Sequence, residues 1–144
     1  NAKACLLGLD DQNTGTNNIL RSAVEGVTYG LKYGLGRLAD NSVRAEKIIL
    51  TGGGAKSDAW RQIVADICDA PVEMHKQEEG AAFGAALQAL AMLEETELTS
   101  LIKEHLDRDS TRCCEPDPST VTFYDEGYFQ YRQSVEQIAS IYGN

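Results

Sequence analysis

Positive charge is scarce in these 144 residues: 13 Lys and Arg stand against 22 Asp and Glu, a formal net charge of −9. Nucleic-acid affinity rests on a cationic face set against phosphates, so this balance argues against a nucleic-acid partner. Long apolar runs are absent too. None approaches the ~20 residues a membrane helix needs, and no basic-then-apolar leader opens the chain, so no membrane partner is expected. The four cysteines, Cys5, Cys68, Cys113 and Cys114, lack the paired Cys-x-x-Cys spacing of a zinc site and read as reduced thiols of a cytoplasmic protein. Cys68 reads as a small buried hydrophobe. The two histidines, His75 and His105, have no ligand pattern around them and read as surface residues. No metal site is expected.

What is present is organised by period. The length suits one domain. Ala4 to Leu9 reads as a short strand without a neighbour, so the chain, which opens without Met, is expected to be a piece of a larger protein. From Thr14 the period becomes helical: Leu20, Val24, Val27, Leu31, Leu35 and Leu38 fall on one stripe. Asn13 or Thr14 is the expected cap, and Asp40-Asn41-Ser42 the stop. Ser22, Gly26, Gly30 and Gly34 recur on a neighbouring face. Glycine costs a helix interior about 1 kcal/mol, so something should approach that backbone closely, either packed structure or a ligand ring.

Lys47–Thr51 reads as a buried strand and ends in Gly52-Gly53-Gly54-Ala55. Ser57 can then cap a helix carrying Trp60, Ile63, Val64 and Ile67. Pro71–Met74 is a weaker strand, and a helix rich in small residues is expected from Glu78 to about Glu94. Strand, helix, strand, helix predicts an α/β layer with parallel strands. Thr96–Leu106 reads as a solvated helix or connection. Asp117 and Pro118 should start a last helix whose stripe is Tyr124, Tyr128, Tyr131, Val135, Ile138 and Tyr142.

The strongest chemical signal is Thr51-Gly52-Gly53-Gly54-Ala55-Lys56-Ser57, between a strand and a helix start. Glycines there let a ligand touch the main chain. A phosphate loop of the Walker type needs glycine where Leu50 and Ala55 stand, and fails twice. A dinucleotide fingerprint finds Gly52 and Gly54 but Ser57 for its third glycine, with Glu73 near the expected acidic position. A flat backbone laid against adenine or ribose is the third reading, and a tight turn that binds nothing is the fourth.

Three segments in order carry a resemblance: Ser22-Ala23-Val24-Glu25-Gly26-Val27-Thr28-Tyr29; Leu50 to Ile63; and Glu79-Gly80-Ala81-Ala82-Phe83-Gly84-Ala85-Ala86. Together they resemble the C-terminal domain of the FGGY carbohydrate kinases, most closely members acting on a ketopentose. The resemblance implies an actin-like (ribonuclease H-like) α/β fold, with residues 1–144 its C-terminal portion and 108–144 a tail helix. It implies an ATP-dependent sugar kinase converting D-xylulose to its 5-phosphate. Other members acting on gluconate, ribulose or glycerol stay open, as does a non-catalytic nucleotide-binding or docking module. The Gly-Gly-Gly-Ala element corresponds to the family's adenosine motif. By position Gly53, Gly54 and Ala55 would face adenosine, with Ser57 and Asp58 in hydrogen-bonding reach. Glu25 would sit on the other side of the pocket or serve as a structural ion-pair partner. ATP or ADP and Mg²⁺ are the implied cofactors, the metal held mainly by residues upstream. No catalytic residue is assigned, the fragment is expected to be inactive alone, and a homodimer is left open.

Overall fold

The computed structural model describes residues 3–77 and 80–142. Along them run α1 (Thr16–Ala39), β1 (Ile48–Ile49), a 3-10 turn (Gly53–Lys56), α2 (Asp58–Cys68), β2 (Val72–Glu73), α3 (Gly80–Leu93), α4 (Leu98–His105) and α5 (Pro118–Tyr142). Glu78 and Glu79, where the sequence starts the third helix and its motif, lie outside the described residues, as do residues 1–2 and 143–144. The fold divides into two compact units: Asn1–Arg44 with Asp66–Cys68 and Asp117–Asn144, and Ala45–Ala65 with Asp69–Pro116.

The first unit pairs α1 with α5. Pro118 opens α5, where a missing N–H costs nothing. Asp117 caps it, its carboxylate accepting from the Ser119 N–H at 2.9 Å, while its own N–H donates to buried Asp66 at 2.9 Å. The first part of the expected stripe packs, through Tyr124, Tyr128 and Tyr131, whereas Val135 and Tyr142 farther along α5 stay exposed. Tyr124 is only 2% exposed, and Tyr29 of α1 lies against the rings of Tyr124, Tyr128 and Tyr131 at centroid separations of 6.2, 5.9 and 5.4 Å. The close approach falls on a glycine that the period did not single out: a Cβ on Gly127 would collide with the Tyr29 hydroxyl. On α1 itself Gly30 meets the Tyr131 hydroxyl, whereas Gly26 and Gly34 face open space.

Three expectations for this unit change. Residues 4–9 form no strand among the described residues. An isolated segment has no ladder to satisfy its backbone, and Leu6, Leu7 and Leu9 stay exposed. The cap of α1 is Gly15, with no side-chain bond, because Asn13 is occupied in the preceding turn, bonding Gly8 and Asp10. The apolar stripe of α1 is formed, yet Leu20, Val27, Leu31 and Leu38 are exposed. Thr28 is buried instead, its hydroxyl turning back onto the Val24 carbonyl.

In the second unit β1 and β2 pair in parallel, Ile48 opposite Val72 and Ile49 opposite Glu73. Both strands are shorter than the sequence suggests, since the two-stranded sheet has few partners to extend them. Beyond β2 the chain returns antiparallel, with bridges Val72–Cys114 and His75–Arg108. His75 is therefore half-buried rather than on the surface. Within this unit the predicted face of α2 is buried, Ile63 and Val64 each being 4% exposed or less; such burial contributes about 1.5–3 kcal/mol per side chain. A left-handed Asp69 (φ 49°) ends the helix. α3 and α4 pack on each other, Leu87 and Leu101 being their buried residues. Gly80 lets α3 approach the Thr51 side chain, while Gly84 meets nothing.

Candidate functional site

The chain leaves β1 through Thr51 and turns on Gly52, whose φ of 86° is left-handed backbone that a side chain disfavours. Gly53–Lys56 then form a single 3-10 turn, closed by the Ala55 N–H on Gly52 and the Ser57 N–H on Gly54. Ser57 is the N-cap of α2, its hydroxyl accepting from the Trp60 N–H at 3.3 Å. Gly53, Gly54, Ala55, Ser57 and Asp58 are thus brought together where parallel strands end and a helix begins, the usual place for a ligand in an α/β layer.

The three glycines do different work. Gly52 supplies the left-handed turn. Gly54 supplies room for structure, because a Cβ there would overlap the six-membered ring of Trp60. Only Gly53 faces open space with an ordinary backbone, so its main chain is the part a flat ligand could lie against. Ala55, 6% exposed, faces inward.

Beneath this turn lies a residue that sequence reasoning did not single out. Arg61 is 4% exposed. Its Nη1 donates to the Ala55 carbonyl at 2.7 Å, and its Nη2 pairs with the Asp58 carboxylate, while Nε is buried without a partner. The available signal was the Asp58-x-x-Arg61 spacing, an i, i+3 acid–base pair on a helix. Asp58 therefore anchors Arg61 even though its own side chain is exposed.

A recess of about 10 Å³ opens beside the turn, lined by Thr51, Gly52, Ala55, Lys56, His75 and Arg112 among others. That volume suits one water-sized group, so a nucleotide held here would lie on the turn rather than inside the unit. Gln77 Nε2 donates to the His105 carbonyl at 2.8 Å, and His75 Nδ1 lies 3.3 Å from the Asp107 carbonyl. Asp109 in the following turn is held down to about 2 by hydrogen bonds from Thr111 and Arg112.

Glu25 belongs to the other unit. Its Oε1 accepts from Arg21 Nε at 2.6 Å and from the Tyr124 hydroxyl at 2.8 Å, and Arg21 Nη2 donates to the same Tyr124 oxygen at 2.7 Å. This is the ion-pair role that the sequence left as an alternative. Burial chiefly pushes the nearby Tyr29 hydroxyl up to about 12 and the half-buried Cys68 thiol up to about 11. Among the described residues no three His, Cys, Asp or Glu side chains gather as a metal would require. Among the described residues, no helix is long and apolar enough to cross a membrane.

Residues 1–93 match the model of the FGGY family of carbohydrate kinases, C-terminal domain, and the chain belongs to that family. Among its relatives, a xylulose kinase of Haemophilus influenzae is 36% identical over 138 residues, 96% of this chain. A xylulose kinase of Staphylococcus xylosus is 34% identical over 87 residues, 60% of the chain. The chain spans only 28% and 18% of those two proteins. Among solved structures, a ligand-bound xylulose kinase from Lactobacillus acidophilus superposes with a TM-score of 0.87 at 24% identity, and a gluconate kinase from the same organism with 0.86 at 24%. In both cases 99% of this chain and 28% of the other are covered. The fold is the actin-like ATPase fold of these sugar kinases, seen here as helices on a small parallel sheet.

Proposed function

We propose that residues 1–144 form the C-terminal, adenosine-binding portion of an ATP-dependent kinase that phosphorylates a ketopentose, D-xylulose to D-xylulose 5-phosphate. One observation carries the reading: a glycine turn at the end of a parallel strand whose Gly53 main chain is open. In this reading Gly53 and the edge of Gly54 lie against the adenosine, Ala55 shapes the turn from below, and Ser57 and Asp58 stand at its rim. Glu25, whose Oε1 is engaged by both Arg21 and Tyr124, serves the α1–α5 packing instead.

Phosphoryl transfer is mostly positioning and charge stabilisation, and this portion contributes the positioning of the nucleotide. The base that takes the sugar proton, the sugar contacts and the groups around Mg²⁺ lie in other parts of the protein, which is cytoplasmic in this reading. The 144 residues alone therefore transfer no phosphoryl group. D-Xylulose is favoured by the names of the relatives at 36% and 34% identity. The gluconate kinase neighbour gives gluconate as the second reading. The test is an ADP-release assay of the full-length protein with D-xylulose, ribulose, glycerol and gluconate. Turnover with D-xylulose well above the others supports the proposal, preference for gluconate transfers it to that substrate, and turnover with none leaves the non-catalytic nucleotide-binding module.

A further inference from the structure

We propose that Arg61 is the positioning residue of the glycine turn, setting the nucleotide affinity without touching the nucleotide; this rests on the adenosine-binding reading above. Burying a cation is unfavourable unless its partners hold it well. Arg61 is buried to 4% exposure. Packing alone would be served there by an aliphatic side chain. What a guanidinium adds is a planar fork with fixed separation between its donors. One arm holds the Ala55 carbonyl inside the 3-10 turn; the other holds Asp58 in the first turn of α2. The two anchors lie on either side of Ser57, the cap.

The turn therefore has three independent restraints. The Ser57 cap ties it to α2, Trp60 fills the space under Gly54, and Arg61 fixes the plane of the Ala55–Lys56 peptide by its carbonyl. Only the last involves a directional, charge-assisted bond to the turn's own backbone. Without it the Gly53–Ala55 segment, rich in glycine, gains freedom that a ligand must remove on binding. Asp58 acts partly through this fork: it stands at the rim, but it also holds the guanidinium in register.

The test is Arg61→Lys in the full-length protein, with ATP KM, sugar KM, kcat and melting temperature measured together. An ammonium cannot span both anchors, so ATP KM is expected to rise about tenfold, the effect of roughly one charge-assisted bond. Sugar KM and kcat should stay near the parent values. A residue that only stabilises the fold would lower the melting temperature and leave ATP KM alone, so a folded variant with ATP KM within about twofold of the parent overturns the proposal. If Arg61→Lys does not fold, Asp58→Asn decides. Its side chain is exposed and keeps hydrogen-bonding ability toward a ligand, yet it loosens the fork, and about a threefold rise in ATP KM is expected; no rise overturns the proposal. A parent protein that shows no saturation with ATP contradicts the adenosine-binding reading and the role of Arg61 with it. A saturable parent with unchanged variants contradicts the role of Arg61 alone.

Discussion

The indole of Trp60 lies so close over Gly54 that any Cβ at that position would overlap its ring. The relationship separates two functions that the run Gly52-Gly53-Gly54 merges. Gly54→Ala forces an overpacked site and should cost about 1–3 kcal/mol of stability, read as a lower denaturation midpoint with unchanged denaturant slope. Gly53→Ala places its methyl in open space and should change stability by less than about 1 kcal/mol. Its effect should appear as weaker ADP binding. Equal loss of stability in both variants would contradict this division.

Gly127 and Tyr29 stand in a similar relation on the other unit, the Tyr29 hydroxyl occupying the space of a missing Cβ. Gly127→Ala should destabilise by about 1–3 kcal/mol. Removing the hydroxyl with Tyr29→Phe should restore part of that loss, so the double variant is expected to be more stable than the sum of the single effects. Additive losses would mean that α5 shifts instead of clashing.

Glu25→Gln weakens a charge-assisted bond from Arg21 and leaves Tyr124 with a neutral partner. About 1 kcal/mol of stability should be lost, with ADP affinity changed less than about twofold. A large loss of ADP affinity in a stably folded variant would return Glu25 to the nucleotide pocket.

The carboxyl of Asp109 is held at about 2 by Thr111, then by Arg112, below the ordinary value of about 3.9. A depressed folded value stabilises the native state above the unfolded value. That contribution fades as pH falls from about 4 through about 2. Asp109→Asn should therefore flatten the acid limb of stability against pH in that window and leave the slope near neutrality unchanged. An identical acid limb in both proteins would contradict the assignment.

The parts of this structure written in local order were readable in the sequence. Ser57 followed by Trp60, Ile63, Val64 and Ile67 specifies α2 because the cap and the period agree. Asp117-Pro118 before the tyrosine stripe does the same for α5. Lys47–Thr51 and Pro71–Met74 were recognisable as strands, but their lengths depend on neighbours, and the observed pair is only two residues each. The segment 4–9 shows the same dependence more severely: its composition favours a strand, and nothing among the described residues pairs with it. Contacts made across the fold were not legible. No spacing rule joins Gly127 to Tyr29 or predicts that Trp60 folds back over Gly54. The burial of Arg61 was not legible either, since it depends on the carbonyl that the turn brings to it.

The central claim, that Gly53–Asp58 holds adenosine, is tested most directly by amide NMR of this chain titrated with ADP, adenosine and NAD. The account expects ADP and adenosine to shift the amides of residues 53–58 alike, with weak affinity, about millimolar for a partial site. Shifts produced by NAD alone, or no shift at these residues with any of the three, would contradict it.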